Sequence, residues 1–413
     1  MTAVAAGRIT SVAQARETAA ALAAEFALTA ARRDSARELP YDELDRLSAS
    51  GLLAVSVPAE FGGADLPPSE VAEVFRLLAV ADPNIAQIPH SHFVYLNLLR
   101  LAGTRAQRER YFGRVLAGAR IANAQSERSG ATVAEVGTTL RPDDDGFRID
   151  GAKYYCTGSL FADVLAVLTR LDDPARRSGL EPGEYIAFLP ADTAGVTIVD
   201  DWNGIGQRTT GSGTVTLDAV RVAGDQLIAR DAAVRAPTGF GSFAQLLHVA
   251  IDVGIARGAL DAAADFVRTR SRPWFEAGVE RASEDPLVIQ RIGELVVEVS
   301  AAEATFEVAA RAVDHSVALT SSGSLEPEEA AELVAASSVA VATAKITADR
   351  AANEVSSALF EVSGTRSAAA DLNLDRFWRN ARTHTLHDPV RWKYQHIGRA
   401  VLNGTAPPLH GVI

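Results

Sequence analysis

Apolar positions along the chain change their spacing twice. From Val12 to about Gly118 they recur every three to four residues, in stretches such as Tyr41–Ser50, Ser69–Ala81 and Ala106–Ala117, the period of helices that bury one face. Breaks fall at Pro58 to Gly63 and at Pro67-Pro68. Between about Ala122 and Ile228 the pattern becomes short β-branched and apolar runs, among them Val164 to Leu168, Tyr185 to Leu189 and Gly213 to Leu217. Asp143-Asp144-Asp145-Gly146 and Glu181-Pro182-Gly183-Glu184 supply hairpin-type turns. From Phe243 onward helical periodicity returns in four long, Ala-rich stretches, about Phe243–Arg270, Pro286–Leu319, Pro327–Val362 and Leu374–Val401. The spacing predicts an α+β protein, mainly α. Its parts would be an N-terminal helical domain (1–121), a small antiparallel middle β domain (122–230) and a C-terminal four-helix bundle (231–413).

Composition narrows the function. A chain of 413 residues, 47% hydrophobic and 22% charged, has ample material for a packed core. A net charge of -12 without a basic patch speaks against nucleic acid as a partner, since Arg32-Arg33 and Arg176-Arg177 are short and lack interleaved aromatics. Cys156 is the single cysteine, so the expected compartment is reducing, hence cytoplasmic, and a thiolate metal site is not expected. Arg8, Arg16, Glu17 and Glu25 interrupt the Ala-rich start of the chain, which reads as an amphipathic helix and not as a signal or membrane segment.

Four segments at the joints of this layout carry chemistry. Asn123-Ala124-Gln125-Ser126-Glu127-Arg128-Ser129-Gly130 opens the β region, and Lys153-Tyr154-Tyr155-Cys156-Thr157-Gly158 is a strand ending in a hydroxyl. Trp202-Asn203-Gly204-Ile205-Gly206-Gln207-Arg208 closes the region, and Phe377 to Pro389 reads FWRNARTHTLHDP. With the order helical, β, helical, these stretches resemble the flavin-dependent monooxygenases built on the acyl-CoA dehydrogenase fold, most closely their sulfur-acquisition branch. The resemblance covers nearly the whole chain. It implies contacts to flavin from Asn123, Ser126, Ser129, Thr157 and Trp202. It further implies phosphate contacts from Arg270 and Arg272, and from Arg366 across a subunit boundary in a homotetramer. The implied cofactor is FMN delivered reduced by a separate flavin reductase, with FAD as the alternative.

The same resemblance exposes an absence. A dehydrogenase of this fold needs a carboxylate base to take a proton alpha to a thioester, commonly a Glu in a Y-E-G-T segment; this chain has His387-Asp388-Pro389 there. The other position for such a base falls near His248-Val249, again without Glu. The implied reaction is therefore oxygen transfer from a flavin C4a-hydroperoxide, made from dioxygen, to a small organosulfur compound. His387 and His92 would flank the hydroperoxide, with Thr157 where relatives carry a serine. Imidazole suits proton transfer near neutrality. Two alternatives remain at this level: an FAD-dependent acyl-CoA dehydrogenase using Asp388, and an N-oxygenating enzyme of the nitrososynthase kind. No metal is expected, and His248, His315, His396 and His410 are expected at the surface or as satisfied core residues.

Overall fold

The computed structural model describes residues 6–130, 132 and 134–413. Six helices come first: α1 Val12–Ala36, α2 Tyr41–Ala49, α3 Pro68–Ala81, α4 Pro83–Gln87, α5 His90–Ala102 and α6 Arg105–Leu116. In α1 the Ser11 side chain caps the N-terminus through the Gln14 amide, and Ala15, Ala19, Ala23, Phe26 and Ala30 form its buried stripe.

Eight strands follow: β1 Ile121–Ala124, β2 Thr139–Asp143, β3 Gly146–Cys156, β4 Val164–Leu171, β5 Glu184–Pro190, β6 Val196–Val199, β7 Gly213–Val222 and β8 Leu227–Ala229. They form one sheet in the order β6-β7-β3-β2-β4-β5-β8, with β1 beside β4. The sheet departs from the expected antiparallel arrangement at two places, because β1 and β2 both run parallel to β4. Asp143↔Gly146 closes the β2–β3 hairpin at the expected turn. Both faces of the central strands are covered. Val164, Ala166 and Leu168 face the helical core while Leu165 and Val167 face a separate core within the β region, which explains their continuous apolar run.

The last part contains α7 Asp231–Val234, α8 Phe240–Thr269, α9 Pro286–Ser322, α10 Pro327–Ser363, α11 Arg376–His384 and α12 Val390–Asn403. α8 and α10 are long and apolar enough to cross a membrane by length and composition, yet 94% of the apolar window of α8 is buried inside the fold. Gly254 and Gly258 let α3 approach it: a Cβ would lie 2.5 Å from the Ala79 Cβ and 2.5 Å from the Val80 carbonyl oxygen, respectively. One expectation needs correction. The fourth bundle helix is not continuous from Leu374 to Val401 but breaks between His384 and Val390. Pro389 lacks an amide hydrogen, its ring would clash with the carbonyl four residues back, and it disfavours helix at Asp388. The break carries His387 and Asp388.

Candidate active site

Four imidazoles converge where α4, α5, α8, α10 and α11 meet. His248 and Asp252 sit one turn apart on the same face of α8. Lys345 comes from α10, Gln87 ends α4, His90 begins α5, and His384 ends α11 just before the break that presents His387. His90 stacks on His248 with ring centroids 3.9 Å apart, and the His384 and His387 rings lie 5.1 and 4.8 Å from that of His248.

Hydrogen bonding fixes the protons. His387 Nδ1 lies 2.7 Å from the His384 carbonyl oxygen, so it carries the hydrogen and Nε2 is an acceptor. The Gln87 amide nitrogen, 3.1 Å away, donates to that Nε2, which turns the Gln87 carbonyl oxygen toward His384 Nε2 at 3.1 Å. His384 Nε2 must then carry a hydrogen, and His384 Nδ1 carries another because Asp252 Oδ1 accepts from it at 2.5 Å. His384 is thus an imidazolium. His248 Nδ1, 3.1 Å from His384 Nε2, is an acceptor, which leaves the His248 hydrogen on Nε2.

The surrounding charges agree with this assignment. Lys345 and Asp252 form a wholly buried ion pair. Burial would raise the Asp252 carboxyl, but the His384 and Lys345 charges overcome it and hold it at about 2. His248 is pushed well below 6.5 by burial and by the neighbouring imidazoles. His387 is also pushed down, by enclosure of its ring and by His384; part of the residue reaches solvent, which moderates the shift. Asp388 pairs with Lys393 Nζ at 2.7 Å, although neither of its oxygens has the directional geometry of a hydrogen bond. Lys393 also donates to Gln245 and to the Val412 carbonyl.

Of the sequence-predicted residues, His387 lies in this cluster. His92 lies outside it and is saturated by the main chain: Nε2 donates to the Leu53 carbonyl at 2.8 Å and Nδ1 accepts from the Ile121 amide at 3.1 Å. Thr157 heads a directed hydroxyl chain. Thr210 donates to the Gln207 carbonyl, so Ser212 donates to Thr210 and Thr157 to Ser212, at 2.9, 2.7 and 2.8 Å. Thr157 therefore offers lone pairs outward. The next residue, Gly158, packs against Ile88, which adjoins Gln87. Ser126 pairs with Tyr154 across an isolated bridge, Ser129 is exposed beside Glu127, and Trp202 donates to the Gln207 carbonyl.

The arginines stand apart. Arg366 donates to the Arg270 carbonyl at 3.1 Å, and Arg272 is exposed nearby. Arg270 follows Asp252 by 18 residues on and just past α8, about 27 Å along the axis at 1.5 Å per residue.

Sequence reasoning placed His384 in the active-site segment without giving it a role, and missed Gln87, His90, His248, Asp252 and Lys345. One signal was present: Asp252 and Lys345 are lone charges in otherwise apolar helical runs, LLHVAIDVGIA and VAVATAKITA.

Model families match the chain twice: acyl-CoA dehydrogenase, N-terminal domain, over residues 11–119, and acyl-CoA dehydrogenase, C-terminal domain, over residues 246–392. The chain is 35% identical over 396 residues to dibenzothiophene monooxygenase of Rhodococcus qingshengii, covering 94% of this chain and 92% of that one. It belongs to the acyl-CoA dehydrogenase family. Within that family it falls with the flavin-dependent monooxygenases. A probable FMNH2-dependent monooxygenase, SfnC of Pseudomonas putida, is 33% identical over 391 residues, with 94% of each chain covered. The crystal structure of FMN-bound TdsC from Paenibacillus sp. A11-2 superimposes with a TM-score of 0.88 at 34% identity, covering 97% of this chain and all of that one.

The residues present fit a flavin. Asn123 lies on the face of β1 that looks toward the helical core, opposite Ala122 and Ala124, and its buried Oδ1 has no partner. A buried acceptor left bare awaits a donor. Together with the outward lone pairs of Thr157 it matches a ring edge rich in N–H groups.

Proposed function

We propose that this flavin-dependent oxidoreductase is a two-component monooxygenase, which receives reduced FMN from a separate flavin reductase and places one atom of dioxygen on a small organosulfur compound. The carrying observation is what occupies the two places where a dehydrogenase of this fold would hold its base: one is held by His248, and at the other Asp388 is paired with Lys393, while the nearby Asp252 is consumed by Lys345 and His384. Bound reduced FMN would supply the electrons that activate dioxygen. Asn123 and Thr157 would accept from the ring, Trp202 would flank it, and Ser126 and Ser129 would close over it from the loop that opens the β region. His387 would bring an imidazole to the reacting side, and the packed helices would exclude water.

Arg270, Arg272 and Arg366 would take the phosphate of a neighbouring subunit's FMN, since along one chain they are too far from the histidines to share a cofactor with them. A homotetramer is part of this proposal. It is supported by exposed apolar side chains on α9 (Leu287, Ile289, Val297) and α12 (Val401, Leu402), which suit burial between subunits. A cytoplasmic location is proposed with it, in keeping with the single buried thiol.

The test supplies the protein with FMN, a flavin reductase, NADH, labelled dioxygen and a panel of sulfides, sulfoxides, sulfones and sulfinates. One labelled oxygen per product molecule is expected. Oxygen appearing only on amines, or anaerobic flavin bleaching by an acyl-CoA, would overturn the proposal.

A further inference from the structure

The cluster contains a proton path that the roles given above do not use. We infer that His248 is the proton donor of the reaction space and that His384, held as a cation by Asp252, recharges it. The inference rests on the monooxygenase reading for its chemistry, but its proton assignment stands on hydrogen-bond geometry alone.

His248 Nδ1 faces the N–H of His384 Nε2 at 3.1 Å, and among the described residues no partner takes His248 Nε2. That nitrogen therefore carries the one uncommitted imidazole N–H of the three linked rings. His384 spends both hydrogens inside the cluster, and His387 spends its own on the His384 carbonyl. The His248 ring is 4.8 Å from that of His387, which reaches solvent, so its free edge lies beside the accessible side of the cluster. Transfer is balanced. As His248 Nε2 would give its proton to the atom of dioxygen that is not placed on sulfur, His248 Nδ1 takes the Nε2 proton of His384. His384 ends neutral, its Nδ1–H still on Asp252, and His248 ends in the opposite tautomer. Uptake of a solvent proton at His248 Nε2 and return of the Nδ1 proton restore the starting state.

Asp252 and Lys345 are positioning residues in this scheme. Asp252 stabilises the His384 cation, and Lys345 fixes the second carboxylate oxygen so that the first stays on His384. The other groups facing His384 are His248 from α8, Gln87 and His90 from the α4–α5 corner and His387 from its own segment, while Asp349 on α10 lies beside Asp252 and Lys345. Asp349 is held up at about 6, first by burial and then by Asp252, so it adds little negative charge below that pH. His90 is lowered to about 4, chiefly by burial, and stays neutral. Among the described residues, Asp252 is the acid that accepts a hydrogen bond from His384.

Two measurements test this. Neutron diffraction from deuterated crystals near neutral pD should show deuterium on both nitrogens of His384, on Nε2 alone of His248 and on Nδ1 alone of His387. A single deuterium on His384, or deuterium on His248 Nδ1, overturns the assignment. In solution, Asp252→Asn should lower the fraction of reduced FMN coupled to substrate oxygenation on the order of tenfold at neutral pH, with hydrogen peroxide released in its place. Asp252→Glu should restore coupling at neutral pH. His248→Phe should uncouple at every pH. Asp252→Asn coupling equal to the parent's, an Asp252→Glu variant as uncoupled as Asp252→Asn, or a coupled His248→Phe refutes the relay. If the parent oxygenates no organosulfur compound while the deuterium pattern is as stated, the functional reading fails and the proton assignment survives.

Discussion

His92→Gln distinguishes a structural histidine from a catalytic one. The ring is 1% exposed and bonded at both nitrogens to main-chain groups. Burial lowers its pKa from 6.5 to about 4, so the folded protein keeps it neutral where the unfolded chain protonates it. Because the folded value lies below the unfolded one, the stability held in the neutral ring is fully present above pH 6.5 and is lost as pH falls toward 4. A difference of about 2.5 units at about 1.36 kcal/mol per unit makes this loss about 3 kcal/mol. Glutamine reaches the Leu53 carbonyl with its amide but does not titrate. The variant should be less stable than the parent at pH 7, with the gap closing by about 3 kcal/mol between pH 7 and pH 4. Urea midpoints followed by circular dichroism across that range measure the gap. Coupled oxygenation at pH 7 should stay within about twofold of the parent, since no transition-state contact is removed. A gap independent of pH, together with lost coupling in a folded variant, would refute this account and return His92 to the chemistry.

Lys345→Met should cost less than the about 3–5 kcal/mol of stranding a buried charge, because the His384 imidazolium still balances Asp252; Asp252→Leu, which strands both cations, should cost more, and a Lys345→Met variant with a lower thermal midpoint than Asp252→Leu would contradict this. His387→Ala should retain FMN while coupled oxygenation falls on the order of tenfold and peroxide release rises; equal coupling would remove His387 from the mechanism. Arg366→Ala should weaken FMN affinity, and hybrid oligomers reassembled from Arg366→Ala and His387→Ala chains should regain activity that neither parent has. Absence of complementation in verified hybrids would place the phosphate contact elsewhere.

Periodicity carried the fold well where one element has one exposed face. The helical beginning, the strands and the first three bundle helices follow directly from it, and Asp143 to Gly146 closes the hairpin its composition demands. It failed at Thr385 to Pro389, where apolar spacing continues across a proline that ends the helix. Parallel pairing of β1 and β2 with β4 was equally hidden, since alternation says which side faces a core but not which neighbour runs alongside. At the site, the motif led to His387. The same motif held His384 but gave it no role, because its meaning comes from Asp252, 132 positions earlier. Only the packing of α8 against α10 and α11 brings those residues together.

That dependence on packing also bears on the proposed flavin site shared between subunits. The histidine cluster lies near the start of α8, and the arginines lie past its end, where α10 ends alongside it, as the Arg366–Arg270 contact shows. The two helices run the same way and meet at both levels, Lys345 with Asp252 and Arg366 with Arg270, so no bend in either can shorten the interval without breaking a buried ion pair. Under the proposed arrangement, a cofactor whose ring sits by Asn123 and Thr157 would find its phosphate ligands on another chain, and association would at the same time cover the apolar faces of α9 and α12. On this reasoning flavin affinity and assembly are thermodynamically linked, each favouring the other by the same factor.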